Sequence, residues 1–552
     1  MSQLKPGQPF GLDPEFVKTI DWDLALQRVR HDLRSDFFYA PHLSFIYAKA
    51  GDELLRQVKK DLEDGKFSPS VPMTIEVPKT FRMPVGFASK RLGPNYSRPG
   101  SILLPKDRLL YQALADQAAP IVEKKTDQTR SFSHKLAKPA SANMFVATRT
   151  CWNALQKANA KFAKQPSAKY VLRIDIANFF GSLNQHTLIN VLSDAGYPSA
   201  LSSRLENLLA GYAGERSSRG ILQGMYPSDL LGNFYLVPID QFLKEKDITS
   251  ARYVDDLYIF IDSVDSADKL LQSLIPELRS YDLVLNEAKC KILPANALIT
   301  EEPDLEALFE AAVAEVSEQL EDEEFDVDYG FQAEWDDSDE LDDSSDNKSE
   351  DDEVDLELAA TTILFDSISS YPGYEENIER FCLPLFAMSD SDHAVKHVID
   401  AFKKRASMSQ IYSAYLAEFI ENEEVSEFLV ESLKDSSLMD WQKIWIVAAL
   451  MQNFEVLGGA VKAALDLLRD ATRHEALRAV AAVYVGRYGD HSRRKSLKTI
   501  YPSVSPYIQS AIYFSSRHWP NPEKLTAKAS WGTNNPLNQL LSIAMENKPK
   551  KT

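Results

Sequence analysis

Two adjacent carboxylates inside an apolar run are the residues of this chain with the clearest chemical meaning. Arg252-Tyr253-Val254-Asp255-Asp256-Leu257-Tyr258-Ile259-Phe260 is rich in β-forming side chains, and Asp255 and Asp256 interrupt it. Apolar strands rarely carry charge without a use for it, so a tight hairpin with both carboxylates at its tip is expected. A third carboxylate sits in a similar setting, where Val171-Leu172-Arg173-Ile174-Asp175-Ile176 reads as a strand ending at Asp175. If the two strands are neighbours, Asp175 and Asp255 converge, and carboxylates crowded into a partly buried site repel. Divalent cations remove that cost. Two Mg²⁺ (or Mn²⁺) ions about 4 Å apart can activate a hydroxyl and stabilise a leaving pyrophosphate, which is the chemistry of nucleotide addition. Taken alone, the YVDD run has a plainer reading, an acidic turn in an ordinary hairpin.

Between these carboxylates lies GILQGMYPSDLLGNFYL, residues 220–236. Glycines flanking Gln223 at the start of a helix would let backbone approach a nucleotide closely. Standing alone, this stretch would be a surface turn before a helix.

Elements must position these groups. Residues 1–300 alternate strand-like runs (VLRIDI, ARYVDDLYIFI, DLVLN) with helical patterns such as DRLLYQALADQAAPIVE, a mixed α+β region. Residues 301–358 hold 27 Asp or Glu and one Lys. Like charges and little to bury predict a largely disordered linker there, with a helix over EEPDLEALFEAAVAEVSEQL before order is lost. Residues 359–552 are rich in alanine- and leucine-bearing helical patterns, and Leu477, Val480, Ala481, Tyr484 and Val485 fall on one helical face. Small residues at such positions let helices pack closely. HEAT-like helix pairs or an irregular helical bundle both fit.

The net charge of −20 is unlike that of a nucleic-acid-binding chain, but the acidity is local. Residues 51–200 carry 22 basic and 12 acidic residues, a basic excess where a groove for phosphates is expected. A solvated surface is the alternative. Cys151, Cys290 and Cys382 form no CxxC pair and fit a reducing cytosol rather than a disulfide or zinc framework. The N-terminal residues have no long apolar core, and no stretch of about 18 apolar residues occurs, so neither a signal peptide nor a membrane span is expected.

In order and spacing these segments resemble the palm motifs of reverse transcriptases. LRIDIANFFGSL is similar to the first motif, GILQGMYPSDLLGNFYL to the second, YVDDLYIF to the third and LVLNEAKCKI to the fourth. SRPGSILLPKDRLLYQAL, upstream, is similar to the fingers segment that closes over the triphosphate. The resemblance implies that Asp175 and Asp255 ligate two metal ions with help from the Ile176 carbonyl, and that Asp256 completes the carboxylate pair. Phe180 stands where an aromatic gate blocks a 2′-hydroxyl, which implies dNTPs as substrates; its plainer reading is a core phenylalanine, a role that suits Phe179 better. Gln223 and Gly224 would line the nucleotide pocket, and Arg98 would hold the triphosphate through charge-assisted hydrogen bonds. Lys106 would assist, although a surface lysine is the simpler reading. Lys289 matches the fourth-motif lysine near the leaving pyrophosphate.

Leu222 stands where many reverse transcriptases have proline, and no ordinary thumb, RNase H, integrase or maturase segment follows the palm. This layout resembles the bacterial abortive-infection and defence-associated reverse transcriptases, in which helical repeats follow fingers and palm. That resemblance implies a cytoplasmic bacterial antiphage polymerase with a DNA product, and assembly into homo-oligomers. Some members polymerise without a template from a protein hydroxyl, and others use a partner non-coding RNA. The competing expectations are a conventional RNA-templated enzyme of a mobile element, a catalytically silent scaffold of the same fold, and a nucleotide cyclase with a related palm. The acidic segment is expected to act as a flexible linker, or else as a nucleic-acid mimic.

Overall fold

The structure is a computed structural model that describes residues 8–79, 84–85, 88–91, 97–213, 218–299, 351–453 and 456–546. The acidic segment and its expected helix lie outside the described residues as far as residue 350; a helix, Asp351–Asp366, begins inside the stretch expected to be disordered. The chain forms two compact units. They do not coincide with the contiguous regions 1–300 and 359–552 expected from composition. The first unit comprises Met1–Leu33, Gly51–Thr74 and Gly100–Glu302, and the second Arg34–Ala50, Ile75–Pro99 and Pro303–Thr552.

A four-stranded antiparallel sheet organises the first unit. Its strands are β1 (Tyr170–Asp175), β2 (Ser250–Tyr253), β3 (Asp256–Ile261) and β4 (Lys291–Pro294), in spatial order β2-β3-β1-β4. The central strands β1 and β3 are covered on both faces, so they read as near-continuous apolar runs rather than as alternations. DLVLN, expected as a strand, contributes only one bridge, Leu285 opposite Ile176. Leu283 of that segment is buried while Val284 is exposed, and it lies beside β1 as a connector rather than as part of the sheet.

Five helices are used below: α1 (Trp22–Asp32), α2 (Pro105–Lys125), α3 (Thr148–Ala163), α4 (Tyr226–Tyr235) and α5 (Val237–Glu245). Helix α3 packs on the sheet, while α1 and α4 pack on α2 and α5 adjoins α4. Leu155 of α3 joins Val171, Ala251, Tyr258 and Phe260 in a core cluster, with Trp152 and Phe162 packed against it. The predicted helix DRLLYQALADQAAPIVE lies within α2, whose Leu109, Leu110, Tyr111, Ala113 and Leu114 are fully buried.

The second unit is helical through its C-terminal part. Helices α6 (Asp440–Leu450), α7 (Ala460–Arg469), α8 (Glu475–Tyr488) and α9 (Pro506–Ser515) stack so that α8 touches each of the other three. Central placement explains why α8 buries residues on all sides and not only on the expected face of Leu477, Val480, Ala481, Tyr484 and Val485. A Cβ at Gly486 would collide with the Ser515 side chain, so glycine lets α8 and α9 approach closely. The helix Pro41–Lys49 packs against α9 and against Pro536–Glu546. There His42 stands edge-on to Tyr507 at 4.8 Å, and Phe45 meets Phe514 at 5.2 Å.

Candidate active site

The sheet brings the three aspartates together through its register. Asp175, the last residue of β1, lies directly opposite Asp256, the first residue of β3. Tyr253 and Asp256 also pair, leaving Val254 and Asp255 as a two-residue hairpin turn. The expected hairpin is therefore present, with Asp255 in the turn and Asp256 at the strand's start.

Such a turn has a backbone cost. Val254 has φ 53°, at a position that normally takes glycine and where a β-branched residue is strained. Both of its backbone groups are anchored. Its N–H donates to Ser133 Oγ at 2.8 Å, and its carbonyl accepts from Arg252 Nη1 at 2.9 Å. Arg252 is buried at 1% exposure and its guanidinium is surrounded by acceptors. Nη2 donates to Asp240 Oδ2 at 2.6 Å and to Ser131 Oγ at 3.1 Å, Nη1 to Asn233 Oδ1 at 2.8 Å, and Nε to Asp240 Oδ1 at 3.1 Å. Strand β2, helix α4 (Asn233), helix α5 (Asp240) and the Ser131–Ser133 segment thus converge behind the turn. Sequence reading missed this set, because a lone Arg beside an apolar run and an Asp in a helix are ordinary surface residues until their burial is known.

Asp175 is fixed by the fourth-motif segment. Lys289 Nζ donates to its Oδ1 and Asn286 Nδ2 to its Oδ2, each at 2.8 Å, while the Asn286 backbone N–H donates to the Asp175 carbonyl at 2.8 Å. Lys289 was expected near this site; Asn286 was not singled out. Burial, then the neighbouring charges of Asp256 and Asp175, push the Asp255 carboxyl up to about 6, against a smaller opposing pull from Lys289. Burial depresses the Lys289 ammonium, but the bond to Asp175 and the charges of Asp256 and Asp255 outweigh it and raise it above the ordinary value. The three carboxylates therefore share one electrostatic neighbourhood, an accumulation of negative charge that a bound cation would relieve. Among the described residues, no three Asp, Glu, His or Cys side chains are gathered tightly enough to read as a metal cage. Asp175 has both oxygens engaged with Lys289 and Asn286 instead.

The nucleotide-pocket candidates fall into three groups. Phe180 is half-buried and Phe179 is buried at 3% exposure, the two rings edge-to-face at 5.2 Å. A Cβ at Gly232 of α4 would come within 2.8 Å of the Phe180 ring, so this glycine makes room for it. Gln223 is half-buried, and Gly224 has φ 79°, left-handed backbone that glycine adopts without strain. The turn leads into α4, whose first N–H, at Tyr226, donates to buried Asp32 Oδ2 at 3.1 Å; Arg108 Nη2 holds the same oxygen at 2.9 Å. Buried Ile176 pairs with Leu285. Lys106 is engaged in an ion pair with Asp61 at 2.8 Å, and Arg98 belongs to the second unit, where its guanidinium stacks over Phe37 at 4.8 Å.

Residues 90–317 match the family model described as reverse transcriptase (RNA-dependent DNA polymerase). They are a reverse transcriptase domain. All four palm-like motifs and the carboxylates built on them lie inside that span. Reverse transcriptases are nucleotidyltransferases that generally use divalent metal ions. No curated protein matches the sequence. Among solved structures, apo telomerase from Candida tropicalis is similar at 13% identity over 69% of this chain and 73% of that one, with a TM-score of 0.28. Telomerase from Candida albicans in complex with a fragment of telomeric RNA is similar at 12% identity over 64% and 65%, with a TM-score of 0.27. Among the described residues, no helix is long and apolar enough to cross a membrane.

Proposed function

We propose that this reverse transcriptase domain is an active DNA polymerase that adds dNTPs at Asp175, Asp255 and Asp256. The single observation that carries the reading is the register that sets Asp175 against Asp256 beside the strained, anchored Val254-Asp255 turn. A silent scaffold gains nothing from this arrangement, because crowded carboxylates and a β-branched residue at positive φ both cost stability.

The donor set fits divalent ions, as hard carboxylate oxygens in one negative neighbourhood. Asp175, Asp255 and the Ile176 carbonyl would hold them, with Asp256 completing the pair. When bound, two such ions lower the barrier to hydroxyl attack and stabilise the leaving pyrophosphate. The protein's own residues do the rest. Arg252 and Ser133 hold the turn, Asn286 orients Asp175, and Lys289 carries positive charge beside the carboxylates, where a pyrophosphate would gain negative charge. Phe180 would stand against a 2′-hydroxyl, and Gln223-Gly224 would offer backbone to the incoming nucleotide.

The layout, with an all-helical region after the palm, resembles that of defence-associated reverse transcriptases, and that resemblance supports a role in bacterial antiphage defence. By its resemblance this layout goes with template-independent, protein-primed synthesis, and the alternative is copying of a partner non-coding RNA. Purified protein freed of nucleic acid, given Mg²⁺ or Mn²⁺ and labelled dNTPs without template, tests this beside an Asp255→Asn variant. Label incorporated only by the wild type, and left on protein after nuclease treatment, is the expected result. Incorporation that appears only when co-purifying RNA is restored would replace it with the RNA-dependent reading. No incorporation in either condition would leave the silent scaffold.

A further inference from the structure

Helix α3 presents charge of one sign to solvent. From Gln128 to Ile174 the chain has nine Lys or Arg and no Asp or Glu, although the whole chain carries −20. The inner face of α3 is fixed by packing. Trp152 stands edge-on to Tyr253 at 5.1 Å, Leu155 is buried, and Phe162 meets Phe260 at 5.5 Å. Roughly opposite lie Lys157 and Lys161, exposed and one helical turn apart, followed by exposed Lys164 at the C-cap. Among the described residues, none of the three is engaged in an ion pair. Lys169, further on, lies near Asp262 and is not part of the row.

The row has a cost that local structure leaves standing. Like charges at i and i+4 destabilise a helix. The helix dipole favours Lys161 and Lys164 at its C-terminal end but does nothing for Lys157. Ala154, Ala158 and Ala160 occupy the positions from which a carboxylate would pair with Lys157, Lys161 and Lys164. An external polyanion would supply the missing counter-charge.

We propose that the solvent face of α3 is a nucleic-acid backbone-binding surface, separate from the catalytic carboxylates, with Lys157, Lys161 and Lys164 each meeting a phosphate; it rests on the polymerase reading above. Tyr253, against which Trp152 packs, adjoins the catalytic turn. A rise of about 1.5 Å per residue sets Lys161 roughly 14 Å along the axis from Trp152. A strand running from the carboxylates along α3 would meet the lysines in turn. Ammonium groups on flexible stems read charge and not bases, so this binding is sequence-independent and salt-sensitive.

The test is fluorescence anisotropy of a labelled single-stranded DNA with the full-length protein, without dNTPs, across a salt series. It compares wild type with Lys157→Gln/Lys161→Gln/Lys164→Gln and with the corresponding triple Glu variant. About tenfold weaker binding at low salt is expected for the Gln triple, more for the Glu triple, and a salt slope reduced by about 2. Melting curves identify any misfolding, and the Gln triple decides if the Glu triple unfolds. Unchanged Kd and slope would overturn the proposal. So would unchanged DNA binding with an altered hydrodynamic radius, since the row would then serve an acidic polypeptide. Because no nucleotide is added, the outcome does not depend on whether incorporation is observed, and the two readings fail separately.

Discussion

Phe180 and Gly232 illustrate how much a single atom decides in this site. The Phe180 ring lies where a Cβ on Gly232 would come within 2.8 Å of it, so a methyl group there must push the ring aside. Gly232→Ala should therefore loosen dNTP selection without touching any carboxylate. The kcat/KM ratio of dNTP to NTP should fall about tenfold, worth about 1.4 kcal/mol, with the decline coming from improved NTP use. An unchanged ratio in the presence of a stable fold would remove Phe180 from the gate role. The three aspartates were legible in the sequence because charge inside an apolar run is unusual. Asn286 was not, because an asparagine in a connector is ordinary, and only the structure reveals that it donates to Asp175 with both its side chain and its backbone.

At the scale of elements, the strands VLRIDI and ARYVDD…IFI could be read from their apolar runs, whereas DLVLN could not be told from a connector, since both are short and apolar. What holds the Val254-Asp255 turn is the contact between elements, and Arg252 is its centre. Arg252→Met leaves Asp240 buried without its cation and frees the Val254 carbonyl, so it should cost about 3–5 kcal/mol in urea unfolding. Arg252→Lys keeps the charge but cannot reach Asp240, Asn233 and Ser131 together, and should fall between. A Lys variant as stable as wild type would count against the forked network. His42, on the helix Pro41–Lys49, gives a pH-dependent counterpart in the second unit. It is 1% exposed, and among the described residues neither ring nitrogen has a hydrogen-bond partner. Burial lowers it from 6.5 to about 3. The unfolded chain takes up this proton below pH 6.5 while the folded chain refuses it until about 3, so stability is lost as pH falls through that window. His42→Leu removes the linkage. The wild type should lose about 2 kcal/mol relative to the variant between pH 7.5 and pH 5, and parallel Tm-against-pH curves would contradict it.

For the whole molecule, the chain's order and its packing order differ. A mixed N-terminal half and a helical C-terminal half could be read from hydrophobic periodicity, but periodicity reports that a face is buried and not what buries it. Thus His42, Leu43, Ile46 and Tyr47, read in sequence with the N-terminal half, are buried within the second unit, where their helix packs on Pro506–Ser515 and Pro536–Glu546. Cutting the chain at residue 300 would strip these side chains of their cover. Fully burying each such side chain is worth about 1.5–3 kcal/mol, so a fragment of residues 1–300 loses several kcal/mol from a fold with only about 5–15 to spare. Expressed alone, the fragment should aggregate or melt at least about 10 °C below the full chain, and co-expression with residues 301–552 should restore solubility. Replacing Leu43, Ile46 and Tyr47 by Ser in the isolated fragment should improve its solubility, while the same changes in the full chain should destabilise it. A fragment that is soluble and as stable as the full chain would mean that the helix Pro41–Lys49 does not depend on the C-terminal helices.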